Sequence, residues 1–434
     1  MSYKSLFKIM NISLRLLLIA FSVIVAAYSQ TTFAAETKPN VLLILADDWG
    51  WGDFGFMGHA EVRTPHLDRL SKEGVTFTNG YVPCSLCRPS LATILTGLYP
   101  HQHQICFNDP PDGVDRDTIR YLEKLPTIPR LLSANGYRSL QTGKFWEGHH
   151  ANGGFTDGMT TKGRHGDEGL TIGRQTLQPI YDFLNQKTEQ PYFIWYAPMM
   201  PHVPHNPPER LVKKYQKPDR DPGVAKYYAM CEWTDETVGE LLGWMDQNKK
   251  LENTLVIFLF DNGWIQPVGE EAKNNGAKGA ARSKNTPYEG GVRAPLIFKW
   301  PGKLPVSKRA ELVSSIDLAP TILSACGVKV PETMPGVNLL DVAAGKQELK
   351  RDAVYGEVFV HTAIKLDAPA ANLTARWLRS GDWKLIVLQK AGAKPELFNV
   401  QDDPAEQKEL SATNGEKVAE LRKKMDAVWA GKER

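Results

Sequence analysis

The sequence predicts an α/β fold: a large mixed, mostly parallel sheet flanked by helices, followed by a smaller α+β domain. The first observation is a set of short apolar runs that end abruptly in polar residues: Val41–Ala46, Ser139–Thr142, Tyr192–Ala197 and Leu255–Phe260. Apolar runs of this length are typical of strands that are buried on both faces of a sheet. The second observation is the helical pattern at Thr64–Glu73 and at Ala225–Asn248. Alternating strands and helices predict a layered α/β architecture.

The pattern changes beyond residue 345. Short strands are predicted at Ala353–Phe359, Trp377–Leu378, Trp383–Leu388 and Glu396–Val400, and an amphipathic helix at Lys417–Trp429. Consecutive strands followed by a helix indicate an α+β unit, with an antiparallel sheet and a terminal helix. The Gly- and Pro-containing stretch Pro335–Gly345 marks the boundary. We therefore expect a catalytic domain at 35–345 and a C-terminal α+β subdomain at 346–434.

The first 34 residues have the order of a secretory signal peptide. Lys4, Lys8 and Arg15 precede the apolar run Leu16–Ala27, and small residues follow it. This run is short for a helix that crosses a bilayer. We therefore predict a periplasmic or secreted protein that is not an integral membrane protein once residues 1–34 are removed.

Charge does not indicate a nucleic-acid or membrane partner. The leader holds three of the 52 Lys and Arg residues, so 49 basic residues face 49 acidic residues in the remaining chain. A balanced chain lacks the excess positive charge that nucleic-acid binding requires. We therefore predict no nucleic-acid partner.

Acidic and amide side chains follow two of the predicted strands. Asp47 and Asp48 come directly after one apolar run, and Asp261 and Asn262 come after another. In open α/β sheets the functional site gathers at the carboxyl ends of strands. Three carboxylates and one amide offer oxygen ligands, which suit a hard cation such as Ca²⁺ or Mg²⁺. A two-zinc phosphatase site is not favoured, because it would need several His ligands.

Cys87 is the cysteine with the clearest chemical setting. The chain has five cysteines, an odd number that leaves at least one unpaired in an exported protein. Cys84 and Cys87 form a C-x-x-C pair, but the chain is much longer than the short domains that use this motif for redox chemistry. Pro89 and Gly97 suit the first turn and the end of a helix. Cys87 would then lie at a helix N-terminus, where the dipole favours an anion and a nucleophile.

Together the motifs resemble the sulfatase family, within the alkaline phosphatase superfamily. The matching segments occur in the family's order over nearly all of the mature chain: Asn40–Gly50, Thr64–Phe77, Cys87–Ser90, Leu95–Gly97, Gly143-Lys144, Pro201-His202, Asp261–Gly263 and Lys284–Arg293. The resemblance implies a sulfuric ester hydrolase, and with export it points to a sulfated carbohydrate as the substrate.

The resemblance also implies catalytic roles. A maturation enzyme would oxidise Cys87 to formylglycine, whose hydrated aldehyde attacks sulfur and later releases sulfate. Lys144, His202 and Lys284 would contact the sulfate. His202 or Lys284 would protonate the leaving alcohol, and Asp261 stands where the family has its activating base.

One Ca²⁺ is the cofactor that the resemblance implies. It would be held by Asp47, Asp48, Asp261 and Asn262, and it would also bind the modified residue at position 87. In that position the ion stabilises negative charge that develops on the sulfate.

Two positions depart from the family's pattern. Leu91 stands where the family has the Arg of Cys-x-Pro-Ser-Arg, which the maturation enzyme reads. Arg88 cannot replace it, because a helix turns that side chain in another direction. Trp146 stands where the family has a His that assists sulfate release, and His149 or His150 is a candidate replacement.

Three functions stay open at this stage. An active sulfatase is favoured, because the metal and sulfate residues are intact. The alternatives are a phosphate-ester hydrolase that uses unmodified Cys87, and a protein that binds sulfated glycan without turnover. Trp146, His103 and His149 are further candidates for substrate contact, and we expect the segment Gly356–His361 to reach the pocket from the C-terminal unit.

Overall fold

Parallel strands that are buried along their whole length form the centre of the molecule. The computed structural model describes residues 37–264 and 282–433. The strands are β1 (Asn40–Ala46), β2 (Val75–Phe77), β3 (Gly80–Tyr81), β4 (Arg138–Gly143), β5 (Asp157–Gly158), β6 (Tyr192–Ala197), β7 (Thr254–Phe260), β8 (Leu296–Lys299), β9 (Ser307–Arg309), β10 (Val313–Ser314), β11 (Ala353–Phe359), β12 (Leu373–Ser380), β13 (Trp383–Leu388) and β14 (Glu396–Asn399). The helices are α1 (Pro65–Lys72), α2 (Cys87–Thr96), α3 (Pro100–His103), α4 (Ile128–Ser133), α5 (Gln178–Asn185), α6 (Glu209–Tyr215), α7 (Pro222–Gln247), α8 (Glu289–Val292), α9 (Leu318–Ala325), α10 (Leu340–Ala343), α11 (Pro369–Asn372) and α12 (Gly415–Val428).

The main sheet has eight strands in the order β5-β4-β6-β1-β7-β8-β2-β9 within the part of the chain that the structure describes. From β5 to β7 every neighbouring pair is parallel. β8 runs antiparallel to both β7 and β2, and β9 returns parallel to β2. The predicted mixed, mostly parallel sheet flanked by helices is therefore confirmed.

Both faces of this sheet are covered, which explains the unbroken apolar runs in the sequence. Along β1, Val41, Leu43 and Leu45 pack into the hydrophobic cluster on one face. Leu42 and Ile44 pack into the cluster on the other face. Successive strand residues point to opposite faces, so every position needs an apolar side chain, and each buried one contributes about 1.5–3 kcal/mol.

The C-terminal unit is an antiparallel sheet, β11-β12-β13-β14, with α12 packed against it. The predicted α+β unit is therefore confirmed. β12 is much longer than the predicted pair Trp377–Leu378, because Arg376 and Arg379 are buried within it instead of ending it. Arg376 donates hydrogen bonds to Asp426 Oδ1 at 2.7 Å and to Trp429 O at 2.6 Å, both from the C-terminal helix region. The helix docks on the sheet through these bonds.

A buried carboxylate joins the C-terminal sheet to the segment that follows residue 281. Glu289 in α8 accepts hydrogen bonds from Lys384 Nζ of β13 at 3.0 Å and from Tyr81 Oη at 2.8 Å. Arg293 and Arg379 also lie within 4 Å of its oxygens. Burial alone would raise the pKa of Glu289, but these cations hold it below its ordinary value. A buried charge of this kind is tolerated because it is paired and hydrogen-bonded.

Two predictions about the chain's ends and domains stay predictions. The signal peptide predicted at 1–34 lies outside the described residues. The predicted boundary between 35–345 and 346–434 falls before β11, in a stretch that includes α10. In the described part of the chain, no helix is both long and apolar enough to span a bilayer.

Gly143 ends β4 in a conformation that directs the next residue, Lys144, into the interior. Its φ is 74°, in the left-handed region that side-chain-bearing residues avoid. A Cβ at this position would collide with the carbonyl oxygen of Ala197 in the neighbouring strand β6. Glycine is therefore required here for two independent reasons.

We expect Gly143→Ala to destabilise the protein far more than Gly113→Ala. Gly113 has a similar φ of 79°, but it has open space around it. Gly113→Ala, the control, should lower the free energy of unfolding by about 1 kcal/mol, from backbone strain alone. Gly143→Ala should lower it by at least about 3 kcal/mol, because strain and collision add. Chemical denaturation of the two variants measures this difference. Equal losses would show that the contact between β4 and β6 is not tight.

Candidate active site

Charged side chains converge where four adjacent strands end. Asp47 follows β1, Asp261 follows β7, Lys144 follows β4, and His202 lies in the loop after β6. The register pairs Ala46 with Phe260, so Asp47 and Asp261 leave the sheet side by side. The sequence predicted this convergence, because the carboxyl ends of parallel strands meet at one edge.

Three carboxylates and two ammonium groups form the centre of the site. Lys144 Nζ donates to Asp47 Oδ1 at 2.5 Å and to Asp261 Oδ2 at 3.3 Å. Lys284 Nζ donates to both oxygens of Asp48, at 2.5 and 2.7 Å. All five side chains are buried. We call these five residues the charge cluster.

The cluster alters the pKa of each of its members. Burial raises the pKa of Asp47 and of Asp261 well above the ordinary value for an aspartate. Burial acts in the same direction on Asp48, but Lys284 and His202 outweigh it and hold the Asp48 pKa low. Burial would lower the pKa of both lysines, but the surrounding carboxylates raise it above its ordinary value. Both lysines therefore stay charged.

Cys87 opens helix α2 against this cluster. Its Sγ lies 3.0 Å from Lys284 Nζ and 4.0 Å from Asp48 Oδ1. Ser90 in the same helix donates to the carbonyl of Asp261 at 2.6 Å, which fixes the helix start to the end of β7. The predicted helix N-terminus at Cys87 is confirmed, and the described cysteines are all free thiols, so Cys84 is not bonded to it.

The thiol of Cys87 is not activated in the unmodified chain. Its side chain is only 1% exposed. Burial raises its pKa to about 12, although Lys144 and Lys284 act to lower it. Desolvation therefore outweighs the lowering effect of both lysines on this thiol. The role of Cys87 as the catalytic residue stays a prediction.

The oxygen atoms of the cluster fit a hard cation. Ligand atoms of Asp47, Asp48, Cys87 and His202 all lie within 4.8 Å of one another. Asp47 Oδ2 and Asn262 Oδ1 are buried and have no hydrogen-bond partner. Buried oxygens without donors are costly, and a Ca²⁺ or Mg²⁺ ion would satisfy both of them.

His202 provides a second reason to expect a cation. Burial lowers its pKa to about 4, so the ring is neutral at pH 7. Nδ1 lies 2.6 Å from Val203 O and must carry the proton, because a carbonyl can only accept. The lone pair of Nε2 then faces Asp48 Oδ2 at 3.5 Å. A bound cation or a shared proton would turn this contact between two acceptors into a favourable one.

The two positions that depart from the family's pattern, Leu91 and Trp146, are both buried in the structure. Leu91 packs into the hydrophobic cluster on one face of the sheet. Arg88 donates to both oxygens of Glu147, at 2.6 and 2.8 Å, and lies over the ring of Phe107. As the helical geometry predicts, Arg88 does not take the place of the missing Arg.

The structure does not bring three of the predicted substrate residues to an open pocket. His103 is buried, with Nδ1 3.1 Å from Ile105 N and Nε2 3.1 Å from Thr93 Oγ1, so both ring nitrogens are engaged in the core. His149 is exposed, and its Nδ1 accepts a hydrogen bond from Ala151 N. Trp146 is only 2% exposed, so its ring is not a free stacking surface. The structure thus buries His103 and Trp146 and places His149 at the surface, because sequence spacing does not show which way a side chain points. A role of these residues in substrate contact stays a prediction.

His165 was not among the residues predicted from the sequence. It lies beside Trp146, where His149 or His150 was expected. Its ring contacts Trp146 edge to face at a centroid distance of 4.5 Å, and its centroid lies 6.0 Å from that of His202. Burial lowers its pKa to about 2, and the next largest cause is the nearby charge of Lys144. His165 lies in an irregular loop after the two-residue strand β5, which no apolar run marks, so no pattern in the sequence pointed to it.

Buried lysines and carboxylates at the carboxyl ends of a mostly parallel sheet define an α/β enzyme with a site for an anion and a cation. Residues 39–328 match the family model Sulfatase, and residues 282–430 match the model N-sulphoglucosamine sulphohydrolase, C-terminal. The chain therefore belongs to the sulfatase family and is a sulfuric ester hydrolase by class.

Similar proteins agree with this assignment. The chain is 30% identical to bovine (Bos taurus) arylsulfatase A over 74% of this chain and 71% of that protein. It is 28% identical to N-acetylgalactosamine-6-sulfatase from Canis lupus familiaris, over 81% of this chain and 74% of the relative. The solved structure described as Ps i-CgsB in complex with k-i-k-neocarrahexaose has the same fold, with a TM-score of 0.72 and 23% identity, over 91% of this chain and 94% of that one.

We expect Lys144→Met to lower the free energy of unfolding by about 3–5 kcal/mol in the absence of divalent ions. The substitution leaves the buried carboxylates of Asp47 and Asp261 without their ammonium partner. Added Ca²⁺ should recover part of this loss. Lys346→Met, which removes an exposed ammonium group, is the control and should change nothing measurable. Urea denaturation with EDTA and with Ca²⁺ tests this, and a loss that Ca²⁺ does not reduce would argue against a cation beside the cluster.

Proposed function

We propose that this chain removes sulfate from a sulfated carbohydrate and is exported to do so. The observation that carries the proposal is the pair of buried ammonium groups, Lys144 and Lys284, that flank Cys87 in a chain of the sulfatase family. Two fixed positive charges in a desolvated pocket favour an anionic group such as a sulfate ester and the sulfate that it releases. The canine N-acetylgalactosamine-6-sulfatase, whose name denotes a sulfated sugar, supports a carbohydrate substrate. The leader at 1–34 supports export to the periplasm or beyond.

The proposed cofactors are formylglycine, made from Cys87 by a maturation enzyme, and one Ca²⁺. Formylglycine supplies an uncharged aldehyde that becomes a nucleophile when hydrated, which suits a position where burial raises the pKa of a thiol to about 12. Asp47, Asp48, Asp261 and Asn262 would hold the Ca²⁺, which supplies positive charge to the sulfate oxygens. The unpartnered oxygens of Asp47 and Asn262 support this ligand set. The unactivated thiol makes a phosphatase that uses unmodified Cys87 the weaker alternative.

The chain's own residues bind the sulfate and move protons. Lys144 and Lys284 donate hydrogen bonds to the sulfate oxygens and so stabilise the negative charge that develops on them during the reaction. Asp261, whose pKa burial raises, accepts a proton beside residue 87. Lys284 faces the same space and stays protonated, so it can pass a proton to the leaving sugar oxygen. Neutral His202 has no proton on the Nε2 that faces this space, and it could serve as the donor only after taking up a proton there. His165 is the candidate for the histidine that the family has at the position of Trp146.

Cys87→Ala should abolish sulfate release, and chelation should abolish it reversibly. The protein would be produced in a host that matures sulfatases, and sulfate release would be measured on an aryl sulfate and on sulfated sugars. The mass of the peptide that spans Cys87 reports whether the thiol has been replaced by an aldehyde. Sulfate release by a chain with an entirely unmodified Cys87 would contradict the proposed cofactor, and release that survives both EDTA and Cys87→Ala would contradict the proposed site.

His165→Ala should lower kcat by about a hundredfold or more, the usual contribution of a positioned general acid or base. His149→Ala is the matched control, because that ring is exposed and hydrogen-bonds only to its own turn. Both variants should keep the melting temperature close to that of the parent. An equal effect of the two substitutions on kcat would show that His165 takes no part in the reaction.

A further inference from the structure

A second group of charged side chains lies beside the charge cluster, and we call it the Asp109 cluster. It consists of Asp109, Arg116, Arg164 and His361. Arg164 donates to both oxygens of Asp109, at 2.6 and 2.7 Å, and Arg116 donates to the same carboxylate. Nδ1 of His361 lies 3.4 Å from Asp109 Oδ2. Asp109 and Arg116 lie seven residues apart in one segment, and Arg164 and His361 come from two distant segments, so their meeting is a property of the fold.

Backbone hydrogen bonds hold this cluster in place. The amide groups of Asn108 and Asp109 donate to the carbonyl of His361, at 2.9 and 3.1 Å. The amide of Ala363 donates back to the carbonyl of Asp109 at 2.9 Å. The segment after β11 is thereby fixed to the loop that carries Asp109. The expectation that this C-terminal segment reaches towards the pocket agrees with that placement.

The Asp109 cluster has more positive than negative charge. Two guanidinium groups share the single carboxylate of Asp109. A third, Arg88, lies close by but is already paired with Glu147. Burial lowers the pKa of Arg116, and the neighbouring charges of Arg88 and Arg164 lower it further. Nη1 of Arg116 is buried and has no hydrogen-bond partner. Crowded cations and an unused donor are both features that a bound anion would relieve.

The cluster opens towards the proposed sulfate position. Nη1 of Arg164 lies 3.0 Å from Nε2 of His165, whose ring also faces His202. Lys284 of the charge cluster is close enough to act on the pKa of His361, as Arg164 also does. The side chains of Arg164 and His361 are 41% and 45% exposed, so a ligand can reach them from solvent.

We propose that the Asp109 cluster is a subsite for a second acidic group of the substrate, a carboxylate or another sulfate, next to the sulfate that is hydrolysed. This inference rests on the proposed function, because it places the reacting sulfate between Lys144 and Lys284. Arg164 binds the acidic group with the donors that Asp109 does not use, and Nη1 of Arg116 is a further donor without a partner. The ring of His361 lines the subsite, with its nitrogens facing Asp109 and Asn108. A sugar that carries one sulfate and no other acidic group has nothing to bind at this subsite.

Binding to the full-length Cys87→Ala protein with Ca²⁺ tests the subsite without turnover. Two matched pairs of probes identify the acid: glucosamine with one sulfate against glucosamine with two, and a sulfated uronate disaccharide against its carboxyl-reduced form. We expect the additional acid of at least one pair to strengthen binding about tenfold or more, the value of one charge-assisted hydrogen bond. Arg164→Gln in the same background should remove that advantage and leave the weaker probe of the pair unaffected.

Arg120→Gln is the matched control, because Arg120 is an exposed arginine that pairs only with its neighbour Glu123. It should bind all probes like the parent. His361→Ala, at an exposed position, provides a second variant that should reduce the advantage without unfolding the protein. The subsite is refuted if Arg164→Gln weakens both members of each pair equally, or if neither additional acid strengthens binding to the parent. A different outcome would refute the proposed function instead: the matured parent protein does not hydrolyse aryl sulfate, although Arg164-dependent binding is present.

Discussion

The burial of three carboxylates at the ends of two adjacent strands is the constraint on which the rest of the site depends. Asp47, Asp48 and Asp261 are almost completely removed from water, and a buried charge without a partner costs several kcal/mol. Lys144 and Lys284 offset part of that cost, and they come from opposite sides of the site. A divalent cation would complete the balance and make the pocket net positive, which suits sulfate. The fold therefore places anion binding and cation binding in one buried volume.

The same burial determines what position 87 can do. Desolvation of the buried thiol raises the pKa of Cys87 to about 12, even though Lys144 and Lys284 act to lower it. An uncharged functional group does not carry this penalty. An aldehyde at this position, as proposed above, would therefore be compatible with a site that is built to hold an anion. Leu91 does not disturb it, because that side chain packs into the core.

The sequence was sufficient for the sheet and for the acidic residues, because both follow from local patterns. Unbroken apolar runs appear wherever both faces of a strand are covered, and Asp47 and Asp261 directly follow such runs. The full length of β12 was not predictable, because Arg376 has partners in a helix fifty residues away. His103 and His165 show the same limit in the site. Whether a histidine faces the core or the pocket depends on contacts between distant segments, and these leave no local pattern.

The Trp at position 146 and the placement of His165 depend on the same set of contacts. The large indole fills the place next to the lysine, and its ring is contacted by His165, Arg164 and Arg116 together. Arg164 is held by Asp109 and in turn holds the ring of His165. A histidine at position 146 would remove the surface against which these groups pack. The Trp therefore supports both a histidine from another loop and a positively charged rim formed by Arg164 and Arg116.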